Sequence, residues 1–121
     1  MDDVLNYIPA RLSALFMVAA AGLTGLSAKN AWKIFKRDRY NHASPNSAQT
    51  EAAMAGALGV QLAGDAWYFG TLYKKKTIGD ALRPVECEDI RRANRLMYAS
   101  AGLLLIVVML LYCSFNILTL L

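Results

Sequence analysis

The chain has 121 residues, of which 56% are hydrophobic and 18% are charged. Soluble domains usually carry about a quarter charged residues, so this composition argues against a disordered chain, a collagen-like chain or a disulfide scaffold, and disfavours an ordinary soluble globule. Lysine and arginine number 13 against 9 aspartates and glutamates, which gives a net charge of +4. Because the basic residues lie beside apolar runs, they indicate membrane orientation, and we expect no nucleic-acid partner.

Two uncharged stretches predict membrane-spanning helices. Residues 99–121 contain no charge, and about 20 apolar residues cross a bilayer as a helix, so we predict a span over about 97–121. Residues 12–28 are a second uncharged stretch, at the lower length limit for a span. Basic residues follow the first span and precede the last one, which predicts that both of these ends are cytoplasmic.

A short helix over about 47–64 is predicted between the spans. Pro45 precedes it, and Asn46 or Ser47 can cap its first turn. Its apolar part is short for a span, which favours a re-entrant or buried helix. One face carries small residues and another carries polar ones, and polar groups at membrane depth usually line a bundle interior or a wet cavity. The alternative is that Glu51 and Asp65 lie at the headgroup boundary without a chemical role.

The predicted fold class is an all-α integral membrane helical protein, with residues 1–121 in a single domain. It consists of two spanning helices, a short re-entrant or buried polar helix, and interfacial helices. The segment from residue 29 suits an interfacial helix, because Trp32 and Phe35 are apolar while neighbouring lysines can reach lipid phosphates. The run Lys74–Lys76 is interpreted as a charged segment at the membrane surface.

The candidate site residues lie in the polar loops. Helix N-termini bind phosphates readily, so Arg37, Arg39 and His42, just before the predicted short helix, favour an anionic phosphate ligand. Asp38 or Glu51 can hold Mg²⁺ bridging such a phosphate, since this ion prefers carboxylate oxygens. The alternative interpretation is a solvated turn with a helix cap.

The loop at residues 65–96 is less informative. Glu88 and Arg92 are four residues apart, which predicts a surface salt bridge. Arg83, Glu86 and Asp89 can serve a polar ligand, but their spacing does not decide this. No nucleophile elbow, dinucleotide fingerprint or metal motif is present in the sequence.

Four blocks of the sequence resemble one known family. The blocks 2–12, 37–47, 55–62 and 78–84 resemble, in the same order, the CobD/CbiB family of cobalamin biosynthesis, the cobinamide-phosphate synthases. The resemblance implies a multi-pass enzyme of the plasma (inner) membrane with its charged loops in the cytoplasm. It further implies an amide ligation, dependent on ATP and Mg²⁺, that joins adenosylcobyric acid to aminopropanol phosphate or aminopropanol and gives adenosylcobinamide phosphate or adenosylcobinamide.

The resemblance also implies site residues. Arg37 and Arg39 would hold phosphate, Asp38 and Glu51 would hold Mg²⁺, and His42 would assist proton transfer from the attacking amine, which makes His42, Asp38 and Glu51 the catalytic candidates. The further residues expected to bind substrate or phosphate are Asn41, Ser44, Asn46, Ser47, Asn6, Arg11, Gln61, Asp65 and Arg83.

Members of that family are longer than this chain, which resembles only their C-terminal part. A missing N-terminal half or a partner subunit is therefore expected, alongside the corrinoid substrate, aminopropanol phosphate and membrane lipid. A non-catalytic membrane scaffold for corrinoid-pathway enzymes is the main alternative function. A small transporter subunit is disfavoured, because the polar residues lie mainly in loops.

Overall fold

The computed structural model describes residues 2–42 and 44–121. Helices dominate, and short strands form two small antiparallel sheets between the fourth and fifth helices. The elements are α1 (Asp2–Leu5), α2 (Tyr7–Leu23), α3 (Ala28–Asp38), α4 (Ser47–Leu58), β1 (Leu62–Ala63), β2 (Ala66–Tyr68), β3 (Thr71–Tyr73), β4 (Thr77–Ile78) and α5 (Asp89–Leu120). The predicted helical character is confirmed, but the strict all-α class is wrong because of these strands.

Helices α2 and α3 are joined by a tight turn that places the first apolar helix nearer the N-terminus than predicted. Gly25 has a φ of 77°, in the left-handed region, which ends α2 and which glycine adopts without strain. The Ser27 hydroxyl then accepts a hydrogen bond from the backbone N–H of Asn30 at 3.1 Å and caps α3. The helix predicted over 12–28 is therefore a 17-residue helix at 7–23, which lies five residues nearer the N-terminus and stays at the lower length limit for a span.

Helices α3 and α4 pack closely and antiparallel. The Asn30 side-chain amide donates to the Gly56 carbonyl at 2.7 Å, which ties the start of α3 to the end of α4. A Cβ at Gly56 would lie 2.6 Å from the Asn30 carbonyl oxygen and 2.7 Å from Ala31 Cα. The predicted small-residue face is thus correct at Gly56. The predicted helix over 47–64 is too long, because Gly59, at φ 71°, ends α4.

Helix α5 is the candidate membrane span. It has 32 residues, about 48 Å at 1.5 Å per residue. Leu96 and Ser100 are buried in the bundle, and the most apolar window of the helix is 0% buried. Among the described residues it is the one helix long and apolar enough to cross a membrane, which agrees with the predicted span over 97–121.

Helix α5 leaves the bundle where α2 begins, α3 ends and α4 begins, and we call this the exit end. Its start lies at the opposite end, because Arg83, which binds Asp89 of α5, shares a cleft with Asn30 and Gly59. Farther along α5, Leu104 lines a groove together with Ser13 of α2. The apolar second half of α5 therefore projects beyond the exit end.

The small sheets connect to the same end. Val60 contacts Gly79, whereas Ala63 pairs with Thr77, whose carbonyl accepts a hydrogen bond from the Asn41 amide just after α3. Strand β1 therefore runs toward the exit end. The hairpin formed by β2 and β3 follows directly, so it is attached at that end.

Candidate functional site

The exit end gathers several of the predicted site residues. Arg11 Nη1 donates to the Tyr7 carbonyl at 2.9 Å and to Asn46 Oδ1 at 3.1 Å. The guanidinium groups of Arg11 and Arg39 lower the pKa of the Tyr40 hydroxyl. The start of α2 is thus tied to the loop between α3 and α4, and the predicted residues Arg11, Arg39 and Asn46 are brought together.

A basic cleft of about 340 Å³, which we call the lysine cleft, opens beside this loop. It is lined by Tyr40, Asn41, His42, Ala63, Lys74, Lys75 and Lys76. His42 is exposed, and its Nδ1 accepts a hydrogen bond from the Ser44 N–H at 3.0 Å. The neutral ring therefore carries its proton on Nε2, as a hydrogen-bond donor. Ammonium and imidazole donors in one cleft suit a phosphate group.

The lysines of this cleft were not among the predicted site residues. The charge run was visible in the sequence, but its partner His42 is more than thirty residues away along the chain. The hydrogen bond from Asn41, next to His42, to the carbonyl of Thr77, next to Lys76, brings the two segments together. No local sequence signal indicates this contact, because its two residues are 36 positions apart.

Asp38 is a buried anchor for the loop that follows β4. Its carboxylate accepts hydrogen bonds from Arg37 Nε and Nη2, both at 2.8 Å, from the Gly79 N–H at 2.7 Å and from Asn41 Nδ2 at 3.3 Å. Asp38 is only 3% exposed, and the hydrogen bonds from Arg37, followed by that from Gly79, hold the pKa of its carboxyl below its usual range. Both oxygens are therefore already engaged.

These contacts decide how the predicted Mg²⁺ ligands fit. Asp38 offers no uncommitted oxygen, and Glu51 lies partly exposed on α4, outside the residues that line the lysine cleft. Among residues 2–42 and 44–121, no group of three or more His, Cys, Asp or Glu side chains is placed to hold a metal ion. The Asp38 carboxylate is thus committed to protein donors, and the Mg²⁺ role of Asp38 and Glu51 stays a prediction.

Arg37 is likewise committed to carboxylates. Besides Asp38, its guanidinium pairs with Asp80 at 2.9 Å, and these two partners raise the pKa of Arg37. Its side chain thus joins the end of α3 to the segment after β4. A phosphate would have to displace a carboxylate there.

Four of the predicted residues line a second cleft at the exit end. This cleft, which we call the serine cleft, has about 330 Å³ and lies between the starts of α2 and α4. The predicted members are Asn6, Ser44, Asn46 and Ser47, and the remaining lining residues are Pro9, Ala10, Ser13 and Thr50. Hydroxyl and amide groups predominate among its polar side chains, so it suits an uncharged polar group.

The remaining predicted residues lie elsewhere. Gln61 is exposed after α4, and the Asp65 carboxylate accepts from the Lys75 N–H at 3.0 Å. Arg83 lies at the opposite end of the bundle, paired with Asp89.

The charged residues before and at the start of α5 pair differently from the prediction. Arg92 binds Glu86 at 3.2 Å and Asp89 at 3.0 Å. Glu88 lies 3.8 Å from Arg91 instead, so the predicted salt bridge between Glu88 and Arg92 is wrong. Asp89 therefore joins Arg83 and Arg92, and it fastens the preceding loop to the start of α5.

A mostly helical chain with one long apolar helix and a basic cleft beside its point of exit is a membrane-associated protein. The sequence model of the family described as CobD/Cbib protein matches residues 1–97. The chain therefore belongs to the CobD/CbiB family, as the resemblance predicted.

Curated relatives agree with this membership. The chain is 47% identical over 117 residues to "Cobalamin biosynthesis protein CobD" of Clostridium perfringens, covering 97% of this chain and 37% of the relative. It is 50% identical over 116 residues to "Cobalamin biosynthesis protein CbiB" of Salmonella typhimurium, covering 96% and 36%. This chain thus spans about a third of the length of these relatives. No solved structure matches it.

Proposed function

We propose that this chain takes part in cobalamin biosynthesis as part of an adenosylcobinamide-phosphate synthase. The observation that carries the proposal is the family match over residues 1–97, with relatives named for cobalamin biosynthesis that align along 97% of the chain. The reaction forms a C–N bond between a propionate carboxyl of adenosylcobyric acid and the amine of aminopropanol phosphate or aminopropanol, and it consumes ATP. Because the chain spans about a third of its relatives, the proposal includes a further segment or subunit that completes the enzyme.

In this proposal the lysine cleft binds the phosphate of a substrate. The Lys74 and Lys76 ammonium groups supply charge and donors within one cleft. His42 acts as a donor through Nε2, because its Nδ1 already accepts from the Ser44 N–H. The proton-transfer role predicted for His42 would require that bond to break.

The serine cleft would hold a neutral polar group at the same end of the bundle. Asn6, Ser44 and Ser47 line it, and Arg11 borders it through its hydrogen bond to Asn46. Arg37 and Asp38 support the site by fixing the loop that carries Asn41, since Asn41 Nδ2 donates to Asp38 Oδ1 and to the Thr77 carbonyl. Their proposed role is positioning, and the ATP site is not assigned.

The proposed location is the plasma membrane, with the charged loops in the cytoplasm. Arg91, Arg92 and Arg95 precede the apolar part of α5, which supports a cytoplasmic start for that helix. Basic residues also follow α2, so its C-terminal end belongs on the same side. A multi-pass topology with α2 as a second crossing stays a prediction.

The experiment is formation of adenosylcobinamide phosphate from adenosylcobyric acid, aminopropanol phosphate and ATP by membranes that contain this chain. The assay is run with the chain alone and with the co-expressed remainder of a full-length relative. The Lys74→Gln/Lys76→Gln variant should raise KM for the phosphate-bearing substrate about tenfold or more, the loss of one or two charge-assisted contacts. Lys29→Gln, an exposed lysine on α3 outside the lysine cleft, is the matched control.

Each outcome has a defined meaning. Product with an unchanged KM in the double variant would place the phosphate outside the lysine cleft. Absence of product in both arrangements, with the protein folded and inserted, would contradict the ligase and favour the scaffold. Product only with the co-expressed remainder would identify the chain as one part of a divided enzyme.

A further inference from the structure

The hairpin of β2 and β3 exposes an aromatic tip. Trp67 is 70% exposed and Phe69 is fully exposed, and Tyr68, Leu72 and Tyr73 are also exposed. Within the hairpin, the Tyr68 and Tyr73 rings contact each other, with 5.5 Å between their centroids. Five large apolar or aromatic side chains on so small an element form an exposed patch of the kind that marks an interaction surface.

The turn at the tip exposes Phe69 in a strained backbone conformation. Phe69 and Gly70, between the paired residues Tyr68 and Thr71, have φ values of 52° and 78°. Two-residue hairpin loops with positive φ at both central positions favour asparagine or glycine, and a bulky side chain there is strained. Strain of this kind is a reason to look for function, because a small polar residue would suit the turn better.

We propose that this hairpin inserts its aromatic tip into the interfacial layer of an anionic lipid bilayer, the same bilayer that α5 enters. The position of the hairpin supports this partner. Strand β1 runs toward the exit end, and the hairpin continues from it, while the apolar part of α5 projects beyond that same end. A membrane around α5 would therefore lie next to the hairpin.

The chemistry of the hairpin selects lipid in particular. Tryptophan and tyrosine are enriched where membrane meets water, because each has an apolar ring and a polar group. Lys74–Lys76 follow β3 directly, and basic residues beside a membrane are attracted to anionic headgroups by about 1 kcal/mol each. The Lys75 ammonium lies 4.9 Å from the Tyr68 ring centroid and 3.4 Å from its hydroxyl. Aromatic and cationic groups thus occur together, as at a bilayer surface.

The test uses the full chain in proteoliposomes. The protein has two tryptophans, so Trp32→Phe leaves Trp67 as the only one. Phospholipids brominated on their acyl chains quench a tryptophan that lies roughly 5–10 Å into the headgroup and acyl boundary. We expect about a twofold loss of Trp67 fluorescence in anionic vesicles, with protection from aqueous iodide. The comparison variant Trp67→Phe reports the surroundings of Trp32 on α3 instead.

Two further variants test the two parts of the proposal. Phe69→Ser should reduce quenching by brominated lipid, because it removes the apolar tip. Lys74→Gln/Lys75→Gln/Lys76→Gln should reduce it in anionic vesicles more than in neutral ones. Equal quenching in both vesicle types would overturn the anionic preference, which is half of the proposal.

Other outcomes would overturn it entirely. A Trp67 that iodide quenches and brominated lipid does not would lie in water. A Trp67 shielded from both quenchers would be covered by protein, either a second copy or the remainder of the enzyme. None of these readings depends on ligase activity, so this proposal can fail independently of the proposed function.

Discussion

The sharpest prediction concerns Asp38, which the sequence suggested as a Mg²⁺ ligand and the structure places as a buried anchor. Asp38→Asn keeps the shape of the side chain but replaces one carboxylate oxygen with an NH₂ group. If that group takes the Oδ2 position, it faces the Gly79 N–H and Arg37 Nη2; if it takes Oδ1, it faces Arg37 Nε and Asn41 Nδ2. In either orientation, the new NH₂ group faces two N–H donors that have lost their acceptor.

The second orientation costs less, because Arg37 is 44% exposed and water can replace its lost partner, whereas the Gly79 N–H is buried and keeps its acceptor. A buried group that loses its hydrogen-bond partner costs about 1–3 kcal/mol, and we expect a loss of that size in the free energy of unfolding. For a chain of this length, it corresponds to a fall in Tm of roughly 5–15 °C.

The assay is thermal unfolding in detergent, followed by circular dichroism at neutral pH, with and without Mg²⁺. Asp80→Asn is the matched control, because Asp80 also binds Arg37 but its side chain is 40% exposed, so its Tm should fall less. An unchanged Tm for Asp38→Asn together with lost dependence of the ligation on Mg²⁺ would refute the anchor and restore the metal ligand.

Two further predictions concern packing and pH. Gly56→Ala should destabilise the contact of α3 with α4 by about 1–3 kcal/mol, because the new Cβ would meet backbone atoms of Asn30 and Ala31. Gly22→Ala, where the nearest atom is 3.6 Å away, should be neutral or slightly stabilising in the same melting experiment. The lowered pKa values of Asp38 and Asp80 stabilise the fold above the unfolded value, about 3.9. Tm should therefore fall as the pH drops through about 4 and below, and fall less steeply in Asp38→Asn.

The helices could be predicted from the sequence, but several of their ends could not. The long uncharged run of α5 is a strong signal, and the structure agrees with it. In α4 the spacing of small residues continues through Gly59 and Ala63, so periodicity alone extended the helix. The backbone turns at Gly59, whose φ lies in the left-handed region, and Val60 then lies against Gly79. That approach is a tertiary contact, which a local pattern does not contain.

The candidate site was predictable only in part, because the sequence does not show which charged side chains pair with one another. Asn6, Arg11, Ser44, Asn46 and Ser47 were expected to act together, and the structure brings them to the exit end. Arg37 was expected to hold phosphate, whereas the fold pairs it with Asp80, 43 residues away. Composition lists the charges available in a loop, but only the fold decides which of them neutralise one another.

This distinction also ranks the candidate ligand-binding residues. Arg37, Asp38 and Arg83 are engaged in ion pairs that hold loops to helices, so a ligand that used them would have to break the fold's own contacts. The lysine cleft differs, because among the described residues Lys74 and Lys76 form no ion pair, and the run carries three positive charges beside His42. A phosphate that enters there gains charge-assisted hydrogen bonds without competing with a carboxylate. The best candidates to bind substrate are therefore the side chains that form no ion pair within the fold. They are not the residues that the sequence alone favoured as catalytic.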